Sequence, residues 1–194
     1  MRRLNPGRPD ATTHAAIEDA AFGLFATRGF DGTTLDDIAS AVGVGRRTLF
    51  RYYRSKNDIP WGQFDRTLDG FRRLLADMPE ELSVHEAVHR GVLAFNEFPA
   101  DSRPPHRDRM MLILGTPTLQ AHSMLRYAEW REVIADYVAF RLRLSPSDVL
   151  PQVAGQVSLA LALTAYDAWL ADPAADLQAI LRESMSALST YLAE

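Results

Sequence analysis

The stretch from Thr33 to Lys56 limits what this chain can fold into more than any other. Thr34 predicts a helix N-cap, with Asp37 three positions on as its reciprocal partner in place of the usual Glu or Gln. Leu35, Ile38, Ala39 and Val42 then recur at helical spacing and form one apolar face. Gly43-Val44-Gly45 stops that helix within three residues. A second short helix follows. Its outward face carries Arg46, Arg47, Thr48, Arg51 and Tyr52, while Ile38, Leu49 and Phe50 are expected in the core. Two short helices, a glycine-containing turn and a basic second helix make a helix-turn-helix. In such a unit the second helix lies in the DNA major groove and the first crosses the backbone.

The charge agrees with this once it is divided along the chain. The net charge is −4, which as a sum argues against a polyanionic partner. Residues 1–56 nevertheless hold nine Arg and Lys against six Asp and Glu, and residues 57–194 hold twelve against nineteen. A basic head on an acidic body predicts that only the head meets phosphate. The absence of cysteine excludes disulfides, thiol nucleophiles and cysteine-ligated metal, and it fits a reducing compartment. No apolar run approaches the roughly 20 residues of a membrane span, and the N-terminus lacks the apolar core of a signal peptide. The expectation is a cytoplasmic protein, free of membrane and of cofactor.

Residues 1–10, with Arg2, Arg3 and Arg8 among Pro6, Gly7 and Pro9, read as a flexible basic arm that reaches phosphates or the minor groove. A helix from about Thr13 to Arg28 shows Ile17, Ala20, Ala21, Leu24 and Phe25 on one face, with Gly29 as its C-cap and Phe30 expected beneath the motif. Residues 11–56 are therefore expected to form a three-helix DNA-binding head. Residues 57–194 are expected to form a helical body for ligand binding and dimerisation. There Ser55 and Asp58 predict a cap, Pro60 a first turn, and a long helix runs on to about Asp77. Ser83 and Glu86 make the clearest capping box, opening a helix through Val84, Val88, Val92 and Phe95. Residues 99–107 read as a loop and Arg109 to Leu114 as a Met-rich apolar segment broken by Pro117. A further helix runs from near Leu119 to Leu144. The segment Val153 to Leu170 is apolar on nearly every side and reads as buried. A last helix carries Leu177, Ile180, Leu181, Leu188 and Tyr191 on one face. No strand pattern stands out, so the expectation is an all-α chain of about nine helices. A chain of this size would not bury its last two helices so completely alone, and a two-fold partner is expected over Val157, Leu161, Leu177, Ile180, Leu181 and Leu188.

The run Arg28-Gly29-Phe30, Thr33-Thr34, Ile38-Ala39, Gly43-Val44, Arg47-Thr48-Leu49-Phe50-Arg51-Tyr52-Tyr53 and Lys56 resembles the signature of the TetR family of transcriptional regulators, over about 45 residues. Body segments are similar to the regulators encoded with gene clusters for mycofactocin, a peptide-derived redox cofactor. These are Ser55 through Asp65, Ala94-Phe95-Asn96, Leu119-Gln120-Ala121-His122-Ser123, Leu125-Arg126-Tyr127-Ala128 and Trp130-Arg131. The resemblance implies a repressor that binds double-stranded operator DNA as a homodimer. It implies that the last two helices build a four-helix interface, and that a small-molecule effector in the body, an acyl-CoA for example, releases the DNA. Carried over position by position, Thr33, Thr34, Tyr52, Tyr53 and Lys56 match the set that holds the DNA backbone. Val44, Gly45, Arg46, Arg47 and Thr48 open the helix that reads bases, with Arg46 or Arg47 placed for a bidentate contact to guanine. Candidate cavity residues are Trp61, Phe64, Phe71, Phe95, Met110, Met111, Leu114, Met124, Tyr127 and Trp130, with Asn96, His122 and Arg126 as the polar groups among them.

One motif points to another class. His85-Glu86-Ala87-Val88-His89 matches the H-E-x-x-H pattern of zinc hydrolases, two imidazoles at i and i+4 with a glutamate as base. The longer metzincin form fails, since Gly91 follows His89 too closely and no third histidine comes on schedule. Glu86 already serves the Ser83 cap, and nothing in the sequence singles out Asp108 as a third ligand. The expectation is an exposed histidine pair, with no catalytic residues and no metal.

Overall fold

The computed structural model describes residues 12–193, and every regular element among them is helical. The basic arm expected at residues 1–10 lies outside the described residues. In chain order the helices are α1 (His14–Arg28), α2 (Leu35–Ala41), α3 (Arg46–Leu49), a short 3₁₀ helix (Lys56–Trp61), α4 (Phe64–Ala76), α5 (Val84–Phe95), α6 (His106–Gly115), α7 (Pro117–Leu142), α8 (Val149–Ala171) and α9 (Leu177–Ala193). They fall into two compact units. The first runs to Gln63 and takes in Asp101–Leu119; the second comprises Phe64–Ala100 and the chain from Gln120 onward. The first unit is thus larger than a head of residues 11–56, because the 3₁₀ helix and α6 pack with it.

In the first unit, Thr13 caps α1 by accepting the Ala16 N–H at 3.1 Å, and Gly29 closes it with an N–H bond to the Phe25 carbonyl at 2.9 Å. Thr34 and Asp37 form the reciprocal cap that their spacing predicts. The core joins Ile17, Ala21, Phe25, Phe30, Ile38, Leu49, Tyr53 and Ile59. Phe50 departs from its expected place. It is 43% exposed, because α3 makes a single turn in which Leu49 takes the inward position. The Arg46 guanidinium stands 5.5 Å from the Phe50 ring. The long helix expected from Ser55 to Asp77 is also divided. Ser55 and Asp58 cap only the 3₁₀ helix, and Gly62 then turns the chain at φ +59° before α4 begins. A side chain at Gly62 would be strained there and would crowd the Glu18 carboxylate and the Arg109 guanidinium.

In the second unit, Ser83 caps α5, and Glu86 turns its carboxylate to Arg90 at 2.6 Å. α4 packs on α5 and α8 packs on α9. The short connection after α8 makes α8 and α9 antiparallel neighbours. α7 opens with Pro117, where a missing N–H leaves nothing unpaired. It ends at Leu142, two residues short of the expected Leu144, with Arg143 left-handed and the Leu144 N–H returned to the Ala139 carbonyl at 2.9 Å. The expectation that α8 is buried all round does not hold for the single chain. Within the expected segment Val153 is 47% exposed and Gln156, Ala160, Thr164 and Asp167 are exposed too; just before it, so are Val149 and Leu150. By length and composition alone α8 would also suit a bilayer. Of the residues expected at a two-fold interface, Leu177 and Leu181 are spent in the chain's own core, whereas Val157, Leu161, Ile180 and Leu188 stay half-buried.

Candidate nucleic-acid interface

The side chains around α2 and α3 divide into those facing inward and those left outside. Thr33 is 1% exposed, and its hydroxyl donates to the Gly29 carbonyl at 2.9 Å. Tyr53 is 3% exposed and donates to the Glu18 carboxylate at 2.6 Å. Burial first, and then that carboxylate, push its phenol well above the usual range. The Lys56 ammonium donates to the Phe30 and Thr33 carbonyls at 2.6 and 2.8 Å and stands 4.3 Å from the Phe30 ring centroid. It thereby fixes the turn between α1 and α2. The Tyr52 hydroxyl donates to the Thr12 carbonyl beside His14, whose ring meets Tyr52 and Tyr53 edge-on. Here Thr33, Tyr52, Tyr53 and Lys56 hold the unit together, so the surface free to meet a backbone is narrower than the sequence pattern predicts.

What remains outside is strongly basic. Thr34 is exposed at the head of α2, and its hydrogen bonds, followed by the nearby Arg28, hold the Asp37 carboxyl below the usual carboxylate range. Gly45 is exposed at the start of α3, and Val44 and Thr48 are half-buried. Arg46 shares an exposed ion pair with Asp36 at 3.1 Å, a contact of little energetic weight. Arg47 and Arg51 are exposed and, among the described residues, have no ion-pair or hydrogen-bond partner; Arg54, which the sequence reading passed over, joins them. Its signal was its place directly after the tyrosine pair.

Beneath this surface lies a buried ion pair that sequence reasoning did not find. Glu18 on α1 is 7% exposed and bonds to Arg109 of α6. Arg109 also donates to the Pro60 carbonyl and covers the Phe22 ring. With the Tyr53 hydroxyl on the same carboxylate, α1, the chain just after α3, the 3₁₀ helix and α6 share one polar knot. A carboxylate beside Ile17, at the edge of the apolar face of α1, was the available signal. An open groove of about 570 Å³ runs between α1 and α6, walled by Phe22, Phe25, Met111 and Leu112, with Asp19 and Asp108 as its acidic groups. Of the predicted cavity residues only Met111 lines it.

The other predicted ligand residues fall in both units. Trp61, Met110 and Leu114 belong to the first, and Phe64, Phe95, Asn96, His122, Arg126, Tyr127 and Trp130 to the second. Within the second unit Phe71, Phe95 and Trp130 form one aromatic cluster, with Phe71 and Trp130 stacked at 5.6 Å. Trp130 is 4% exposed. Arg126 lies over Phe64 and reaches the Asp65 and Glu129 carboxylates at 3.3 and 3.0 Å. Asn96 is spoken for: it donates to the Val92 carbonyl and accepts from the buried Tyr166 hydroxyl at 2.7 Å. Burial raises the Tyr127 phenol. Met124 is 60% exposed.

His85 and His89 lie one turn apart on α5, with ring centroids separated by 3.8 Å. Burial, and then His85, lower His89 to about 4. A catalytic zinc needs three protein ligands, and among the described residues no three His, Cys, Asp or Glu side chains converge. Asp108, the third residue weighed beside the pair, belongs to the other compact unit. The hydrolase reading of the H-E-x-x-H run therefore has no support.

Known proteins echo this arrangement. Residues 17–59 match the sequence pattern of bacterial regulatory proteins of the tetR family, and residues 82–193 match the MftR C-terminal domain. The chain is 46% identical over 171 residues to a Mycobacterium tuberculosis protein named as the mycofactocin biosynthesis transcriptional regulator MftR, covering 88% of this chain and 86% of that one. Its fold is similar to that of FadR from Thermus thermophilus, a TetR family transcriptional repressor solved with lauroyl-CoA (TM-score 0.56, 25% identity, 90% of this chain and 92% of that one). It is also similar to SmeT, repressor of a Stenotrophomonas maltophilia multidrug efflux pump (TM-score 0.60, 18% identity, 92% and 89%).

Proposed function

The chain belongs to the TetR family of bacterial transcriptional regulators, with an MftR-type C-terminal domain, and on that premise we propose that it is a ligand-responsive repressor binding operator DNA as a dimer. The observation that carries this reading is that Arg47 on α3, with Arg51 and Arg54 in the chain just after it, is exposed and, like them, without an ion-pair or hydrogen-bond partner among the described residues. Unpaired guanidiniums at a recognition helix suit bidentate contact with guanine and charge-assisted contact with phosphate. Thr34 adds a hydroxyl at the head of α2. The exposed stripe of α8, with the half-buried Val157, Leu161, Ile180 and Leu188, supports a two-fold partner covering that side.

The effector we propose is a long-chain acyl-CoA or a similar apolar thioester, taken up by the body. The lauroyl-CoA complex of the Thermus FadR and the aromatic cluster of Phe71, Phe95 and Trp130 support that choice. The test begins with the duplex that the protein retains from sheared genomic DNA. Arg47→Ala should weaken binding of that duplex by about 1–3 kcal/mol and relax its specificity. Log affinity against log salt should fall with a clear negative slope. Lauroyl-CoA should release the duplex and raise the melting temperature of the free protein. A flat salt dependence sinks the DNA reading. Duplex binding indifferent to every acyl-CoA sinks the effector alone.

A further inference from the structure

We propose that His85 and His89 form a two-imidazole chelate for one first-row divalent metal ion on α5, a binding site rather than a catalytic one. The pair sits at i and i+4, the spacing that stacks side chains on one helical face. The ring centroids are 3.8 Å apart. Two metal–nitrogen bonds of about 2.0–2.1 Å, meeting near a right angle, require nitrogens about 3 Å apart. Rings already in contact reach that separation by small rotations about their side-chain bonds.

The neighbourhood leaves the pair available. Among the described residues no protein group is hydrogen-bonded to either imidazole. Glu86, which lies between them in sequence, holds Arg90 at 2.6 Å and so offsets the nearest cation on the helix. His85 is exposed and His89 half-buried, so an ion arrives from solvent and keeps water on its remaining positions.

The chemistry narrows the metal. Neutral imidazole suits zinc, copper and nickel, and among divalent ions at a given nitrogen site copper binds tightest. Among the described residues neither ring has a hydrogen-bond acceptor, the feature that orients the ligands of built sites. Affinity is therefore weaker than at a structural zinc site. A bound ion would tie successive turns of α5 together just after its Ser83 cap and raise the stability of that helix.

The experiment is calorimetric titration of the untagged, full-length chain with Cu²⁺, Ni²⁺ and Zn²⁺ in a metal-free, non-chelating buffer. One saturable site per chain is expected, tightest for Cu²⁺, with a two-nitrogen copper signature in electron paramagnetic resonance. His85→Asn and His89→Asn should each weaken Cu²⁺ binding at least about tenfold, since removing a ligand costs no less than removing its supporting shell. Glu86→Gln and His122→Asn should leave it within about twofold, as substitutions outside a ligand set do. Circular dichroism of each variant confirms that α5 is intact. The proposal is overturned if no saturable site exists, if both histidine variants bind like the parent, or if Glu86→Gln abolishes binding. None of these outcomes bears on the DNA reading, which the duplex titration tests separately.

Discussion

Tyr53 and Lys56 sit where a phosphate-binding pair would be sought, yet their polar ends point inward to Glu18 and to the Phe30 and Thr33 carbonyls. Their loss should therefore register in stability. Tyr53→Phe removes one donor from a buried carboxylate and should cost about 1–3 kcal/mol in urea unfolding. The slope of log DNA affinity against log salt should stay that of the parent, because no phosphate contact is removed. A reduced slope with unchanged stability would return Tyr53 to the interface. The pattern of residue types around Thr33–Lys56 was legible because it is local. The partners were not: Lys56 reaches back 26 positions, Tyr53 reaches 35, and Arg109 meets Glu18 across 91. No periodicity encodes such distances. Arg54 was missed for the opposite reason, because its exposure depends on where the short α3 stops.

Helix starts were the most readable elements. Thr34 and Ser55 share reciprocal caps with Asp37 and Asp58, as their spacing predicts, whereas Ser83 accepts the Glu86 N–H but the Glu86 carboxylate goes to Arg90 and leaves the expected box half made. Capping is settled within one turn, so three or four residues of sequence contain the whole argument. Helix ends and helix contacts depend on what lies across the interface, and the sequence reading lost them at Gly62 and along α8. Gly91 shows the same dependence. It faces α4 so closely that a Cβ there would lie 2.4 Å from Leu75 Cδ2 and 3.3 Å from Phe71 Cε2. Leu75 is itself 1% exposed and has little room to retreat. Gly91→Ala should gain a little helix propensity and lose more to overpacking, a net destabilisation of about 1–3 kcal/mol. Denaturant melts of the variant check this; a midpoint equal to or above the parent's would mean that α4 and α5 can separate without loss.

At the scale of the whole molecule, both compact units carry a histidine that folding keeps neutral. His106, in the first, is lowered to about 3 by burial and then by Arg109; His89, in the second, is lowered to about 4 by burial and then by His85. The ordinary value is 6.5. Between these values the unfolded chain binds protons that the folded chain refuses, so stability is full above the unfolded value and is lost as pH falls toward the folded ones. The depressed Asp37 carboxyl acts in the same direction at still lower pH. Moving from pH 7 to pH 5 should cost about 2 kcal/mol at His106 alone, and less at the more exposed His89. Melting temperature should therefore decline steadily over that range at low protein concentration, which avoids association near the isoelectric point of about 5.7. His106→Gln should start lower at pH 7, where its packing is lost, and then fall less steeply than the parent. A parent whose melting temperature rises on acidification, or a variant that runs parallel to it, would mean that His106 is reached by solvent and takes up its proton in the folded state.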